Sequence, residues 1–157
     1  IATPLFIPDD LIFVSASYDK GSAVVRMSTE GDGIEVEKVW ASRVMRNHFN
    51  SSVLLDGYLY GFDNANLKCI EAESGDELWS HPRELGKGSL VRVGDRLIVL
   101  GEEGALALVE ATPEAYRELA KVEMLTGRCW TPPTVAHGKL YLRNQDELVC
   151  LDVSAGQ

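Results

Sequence analysis

Short apolar runs, each closed by a turn rich in Gly, Asp or Asn, recur along the whole chain. Pro4-Leu5-Phe6-Ile7 is the first of them. Ser52-Val53-Leu54-Leu55, Tyr58 to Phe62, Leu67 to Ala72 and Leu97-Ile98-Val99-Leu100 follow the same form. Runs this short between turn residues predict strands, not helices. Asp56-Gly57 and Gly94-Asp95 are pairs that tight hairpins favour, because the backbone there needs positive φ. Asp63-Asn64-Ala65-Asn66 makes a second, polar turn, Ser74-Gly75-Asp76 a third, and a last run ends at Trp79. Four short strands result, joined as a meander.

The unit repeats. With Asn50 set on Thr131, an offset of 81 residues, Gly57 falls on Gly138, Leu59 on Leu140 and Tyr60 on Tyr141 without a gap. Leu67, Cys69, Ile70 and Gly75 then fall on Leu148, Cys150, Leu151 and Gly156. About half that offset finds another copy, Leu59-Tyr60 on Leu97-Ile98, and upstream Ile12-Phe13 and Trp40 stand for Leu59-Tyr60 and Trp79. Repeats of about 40 residues with four strands each are the signature of propeller blades. The expected fold is all-β: one partial β-propeller of about four blades of antiparallel strands, spanning roughly 1–42, 43–84, 85–126 and 127–157, the last lacking its outer strand. Thr112-Pro113-Glu114-Ala115 carries a helix-start signal, but the repeat register predicts one helical turn at most, then a strand with Val122 in the place of Trp40 and Trp79.

The segment from Leu67 to Trp79 resembles the tryptophan-docking motif of the pyrroloquinoline-quinone (PQQ)-like, quinoprotein-type propeller repeats: an acidic residue, Ser74-Gly75, three spacers and Trp79. The resemblance implies that the indole packs on the glycine turn of a neighbouring blade, with Gly75, Trp79 and Trp40 as docking residues. Bare glycine backbone is where a flat ring can lie. Asp152-Val153-Ser154-Ala155-Gly156 begins a second copy. The same repeat occurs in PQQ-dependent dehydrogenases, in a non-catalytic outer-membrane-assembly lipoprotein and in other envelope or secreted proteins. It implies a parent of seven or eight blades, so the chain reads as the C-terminal part of a longer protein, in the periplasm or outside the cell. Half a ring leaves sheet edges and blade faces open, and a two-fold homodimer closing a pseudo-eight-bladed ring is one expectation.

Composition narrows the rest. Asp plus Glu number 24 against 15 Lys plus Arg, a net charge of -9, which sets nucleic acid aside as a partner. No run reaches the roughly 20 apolar residues of a membrane helix. Cys69, Cys129 and Cys150 are odd in number and widely spaced; they read as buried thiols, not as a disulfide framework or a zinc site.

The loops that lead into the innermost strands would ring the axial funnel. They read Arg43 to Asn50, Gly86 to Ser89 and Arg128 to Thr131, each with a cation, and Phe49 and Trp130 hold equivalent places. Arg46, His48, Lys87, Arg128 and Trp130 are the candidate site, for an anionic or planar ligand; PQQ is a planar tricarboxylate. The plainer reading makes them solvated loop residues, with both aromatics sealing blade packing. His81 and His137 read as exposed turn residues. The family's dehydrogenases carry a vicinal cysteine pair and a Glu, Asn and Asp calcium set, none of which is placed here. Asp63 to Asn66 lacks the spacing of a calcium loop, and no catalytic or metal-ligating constellation stands out. The expected function is a non-catalytic binding or scaffold module with a protein or glycan partner and no cofactor. The alternative is the C-terminal half of a PQQ-dependent alcohol or sugar dehydrogenase, which would bring PQQ and calcium in the parent protein.

Overall fold

Turn chemistry sets the hairpins, and hairpins set the sheets. The structure, a computed structural model, describes residues 2–29 and 33–154. Strands β1 (Leu5–Ile7), β2 (Leu11–Ala16), β3 (Gly21–Ser28) and β4 (Glu35–Ser42) form the first sheet. The second holds β5 (Val53–Leu55), β6 (Tyr58–Asp63), β7 (Asn66–Glu71) and β8 (Glu77–His81). The third holds β9 (Ser89–Val93), β10 (Arg96–Leu100), β11 (Ala105–Glu110) and β12 (Glu118–Glu123). Three described strands, β13 (Thr134–Ala136), β14 (Lys139–Arg143) and β15 (Leu148–Asp152), make the fourth. Each sheet is an antiparallel meander in sequence order. The chain is thus all-β, a partial β-propeller. Asp56 and Gly57 both have positive φ, as a tight turn between paired Leu55 and Tyr58 requires.

First strands gather on one side, β1 beside β5 and β5 beside β9. The fourth strands β4 and β12 lie outside, facing water along nearly their whole length. Apolar cores lie between the sheets. Phe13, Val24, Leu59 and Ile70 fill the first seam; Tyr60, Phe62, Leu97 and Val109 the second; Leu100, Leu125, Leu140 and Leu142 the third. The second sheet is covered on both faces, so β6 is buried from Leu59 to Asp63 instead of alternating. On β15, Leu148 and Cys150 point outward and are exposed, which corrects the expectation that all three thiols are buried.

Indoles cross two of the seams. The six-membered ring of Trp40 lies 2.9–3.1 Å from where a Cβ on Gly75 would stand, and its Nε1–H donates to the Ala72 carbonyl at 2.9 Å. Only glycine admits that approach, at a φ of 78° that side chains also disfavour. One blade on, Trp79 Nε1–H donates to the Thr112 carbonyl at 2.8 Å. Gly156 of the second motif copy lies outside the described residues.

Each outer strand carries a bulge at the same place. Trp40 pairs with Val24, Lys38 with Val25, and Val39 is skipped. Trp79 pairs with Cys69, Glu77 with Ile70, and Leu78 is skipped. In the third sheet Ala120 pairs with Leu108, Glu118 with Val109, and Leu119 is skipped. Ala120, not Val122, therefore holds the tryptophan position. The turn before β12 encloses six residues between the bonded Glu110 and Arg117, against four between Glu71 and Asp76. That turn is a bend, with the Glu114 N–H on the Thr112 Oγ1, and contains no helix. The only described helical turn is a 3-10 turn at Arg83–Leu85, after Pro82. His81 also departs from expectation: it ends β8 and stacks on Tyr116 with centroids 3.7 Å apart. His137 is exposed in the β13–β14 turn.

Candidate functional site

Polar side chains stitch the lead-in loops to successive blades. Ser15 Oγ–H donates to the Met45 carbonyl, and the Asn47 N–H donates back to Ser15 Oγ. Buried Asn47 donates from Nδ2 to the Phe62 carbonyl and accepts from Ser52 at Oδ1. Asn50 donates to the Gly88 carbonyl of the next loop. Buried backbone must find partners; those of Met45, Asn47 and Gly88 belong to neighbouring blades, while that of Phe62 lies in its own blade. The lead-in loops are consequently fixed, and so are the side chains they present.

Phe49 and Trp130, 81 positions apart, meet with centroids 4.9 Å apart. His48 packs on Phe49, and Tyr18, 80% exposed, meets His48 edge-on at 5.0 Å. The His48 Nε2 and Tyr18 Oη lie 2.9 Å apart. Arg128 caps the other end, its guanidinium 4.4 Å from the centre of the Trp130 ring. A continuous ribbon, Tyr18–His48–Phe49–Trp130–Arg128, results.

Glu102 holds the ribbon from below. Its carboxylate accepts from Trp130 Nε1–H and from the Lys87 backbone N–H, both at 3.0 Å. The Lys87 N–H, with help from Trp130 and the nearby cations, keeps the Glu102 carboxyl below its ordinary range despite partial burial. Partial burial and the Lys87 ammonium push the His48 imidazole below its ordinary 6.5. His48 is therefore neutral at neutral pH, a stacking and hydrogen-bonding group without charge. Beside Trp130 opens a cleft of about 180 Å³ lined by Arg128, Thr131, Arg143, Asn144 and Gln145. Two guanidinium groups and an indole plane make it suited to a planar or carboxylate-bearing group.

Arg46 turns elsewhere. Its guanidinium grips Asp63 with two hydrogen bonds, at 2.6 and 3.0 Å, and its backbone N–H adds a third. Lys68 Nζ reaches Asp63 at 3.0 Å, Glu77 at 2.7 Å and the Val44 carbonyl at 3.1 Å. Burial alone would raise the Asp63 carboxyl, but Arg46 and Lys68 outweigh it and hold it below the carboxylate range. A calcium ion does not fit this turn: both Asp63 oxygens already face cations, and those cations would repel a metal.

The structure thus brings His48, Arg128 and Trp130 together with Phe49, places the Lys87 backbone beside them, and commits the Arg46 guanidinium to a structural cluster. Tyr18 and Glu102 are not singled out by the sequence reading. Both sit in turns between the second and third strands of their blades. Aligning those turns by repeat, in the same way as the lead-in loops, puts both at the same mouth.

No family model and no curated protein matches the chain. Solved structures do, and what they share with the chain is the fold, a β-propeller of the kind seen in BamB and in a methanol dehydrogenase. BamB from Moraxella catarrhalis superposes with a TM-score of 0.70 over 95% of this chain and 41% of that one, at 18% identity. A europium-containing methanol dehydrogenase superposes with a TM-score of 0.50 over 76% of this chain and 24% of that one, at 15% identity. The chain spans less than half the length of either. Among the described residues no helix is long and apolar enough to cross a membrane.

Proposed function

We propose that the chain is a non-catalytic binding module of a PQQ-like β-propeller, working in the cell envelope or outside the cell. The observation that carries this reading is the aromatic ribbon capped by Arg128: rings from three blades converge, held from beneath by one carboxylate. Trp130 is 42% exposed, and an exposed indole beside a cation is a characteristic anchor for a protein or glycan partner. The fold likeness to BamB supports the envelope setting. Phe6 on the first sheet and Leu148 on the fourth lie 67% and 68% exposed, which favours contact between two copies; light scattering reads that directly.

Calorimetry tests the site. An acidic aromatic peptide, an acidic oligosaccharide and PQQ with calcium are titrated separately. Saturable binding of the peptide or the glycan, weakened about tenfold by Trp130→Ala or Arg128→Ala, is the expected result; tenfold is about 1.4 kcal/mol. Stoichiometric uptake of PQQ with calcium, and of neither other ligand, would replace this reading with the dehydrogenase half. Silence from all three would remove the mouth as a binding surface.

A further inference from the structure

Among the described residues, two of the three seams between the sheets are crossed by an indole, and the third has an opening. Ala120 holds the position of Trp40 and Trp79, and beside it runs a groove of about 410 Å³ between the third and fourth sheets. Its walls are Ile98, Leu106, Val122, Val135, Leu140 and Val153. Shifted by 81 residues, Val135, Leu140 and Val153 are the counterparts of Leu54, Leu59 and Ala72, which pack in the same core as Trp40. The backbone repeats as well. Val153 N–H donates to the Gly138 carbonyl as Ala72 N–H donates to that of Gly57, so the Val153 carbonyl stands where the Ala72 carbonyl receives the indole N–H of Trp40.

From this we infer that the groove is a receptor for a tryptophan supplied by a partner peptide. The chain itself shows twice that such a seam accepts an indole whose N–H reaches a carbonyl of the next blade, Ala72 in one and Thr112 in the other. A peptide is favoured over a free small molecule because β12 borders the groove as the edge strand of its sheet, exposed throughout. An extended segment can pair there while one side chain reaches over the small Ala120. Charge sets the rest of the sequence. Arg96 and Lys121 line the groove, complementing acidic residues ahead of the tryptophan, as Asp76-Glu77 precede Trp79 in this chain. The groove shares no residue with the ribbon, so it stands or falls independently of the function proposed above.

The probe is the synthetic heptapeptide of residues 75–81, carrying a fluorescein at its N-terminus and read by anisotropy against the chain. Saturation is expected at a Kd on the order of 10–100 µM, in keeping with a small interface. Replacing the peptide's tryptophan by alanine should weaken it at least tenfold, and so should Ala120→Trp in the protein, which fills the groove from within. Folded Ala120→Trp protein should also melt several degrees higher. If that variant does not fold, Val153→Asp gives the same test by placing a carboxylate in the groove. No saturation up to 1 mM, equal binding of the tryptophan-free peptide, or undiminished binding by either variant overturns the inference. N-acetyltryptophanamide binding as tightly as the peptide overturns it too, in favour of a small-molecule pocket.

Discussion

Asp63→Asn should destabilise the chain by about 3–5 kcal/mol, the usual consequence of removing one partner from a buried charge cluster. The Asp63 side chain is 3% exposed and accepts from Arg46 and Lys68 together. Asparagine keeps the shape but offers one oxygen, leaving two cations facing a neutral amide. Lys68 keeps Glu77 and the Val44 carbonyl, which holds the loss nearer the lower figure. Denaturant unfolding measures it. The same cluster fixes the direction of a pH effect. The folded Asp63 carboxyl lies below its ordinary 3.8, so the unfolded chain binds the proton more readily. Its contribution is complete above the unfolded value and fades as pH falls through the folded one. Wild-type protein should lose more stability than Asp63→Asn as the solution is taken from pH 5 towards pH 2, and the two unfolding curves should approach each other. Parallel curves over that range would show that the carboxylate is not what holds the cluster.

Trp79→Ala should cost a similar amount, about 3–5 kcal/mol by the measure of buried aromatic truncations. Trp79 is 9% exposed, packs near Tyr60 and edge-on to Tyr116 at centroid distances of 6.1 and 5.9 Å, and donates to Thr112 across the seam. Removing it opens a cavity between the second and third sheets and orphans the Thr112 carbonyl. Trp79→Phe separates the two effects: the ring remains, the donor goes, and about 1–2 kcal/mol should be lost. A Trp79→Phe variant as unstable as Trp79→Ala would mean that the hydrogen bond, and not packing, joins these blades.

Repeat period and turn chemistry make most of the fold legible in the amino-acid order. Asp56-Gly57 admits one backbone geometry, and the apolar runs on either side can then pair in only one register. The place of Ala120 is not legible in that way. The turn before β12 is two residues longer than its counterpart before β8 and leaves no mark in the hydrophobic pattern. A plain 39-residue count from Trp79 therefore stops short at Glu118, and the apolar Val122 is not the answer either. His81 looks like an exposed turn residue because its burial comes from Tyr116, a residue 35 positions away. Phe49 and Trp130 can be seen as equivalent, but not as touching. Their contact depends on how far each blade turns about the axis, a quantity that no local stretch of sequence encodes. Glu102 is hidden for a related reason: a charged residue in a hairpin turn looks solvated until the neighbouring loop places an indole N–H above it.

The unequal sealing of the seams has a consequence for how the chain comes apart. The Phe49–Trp130 contact at the mouth aside, each blade buries its apolar faces against its neighbours, so cooperativity is passed along the array mainly link by link. Indoles bolt the first two links. The third has Ala120 and a groove, and beyond it lies a sheet of three described strands whose last, β15, is half exposed. Opening should therefore travel from that end: the fourth sheet trades its amide protons with solvent first, while those of the second sheet, clasped on both faces, wait for the whole chain to unfold.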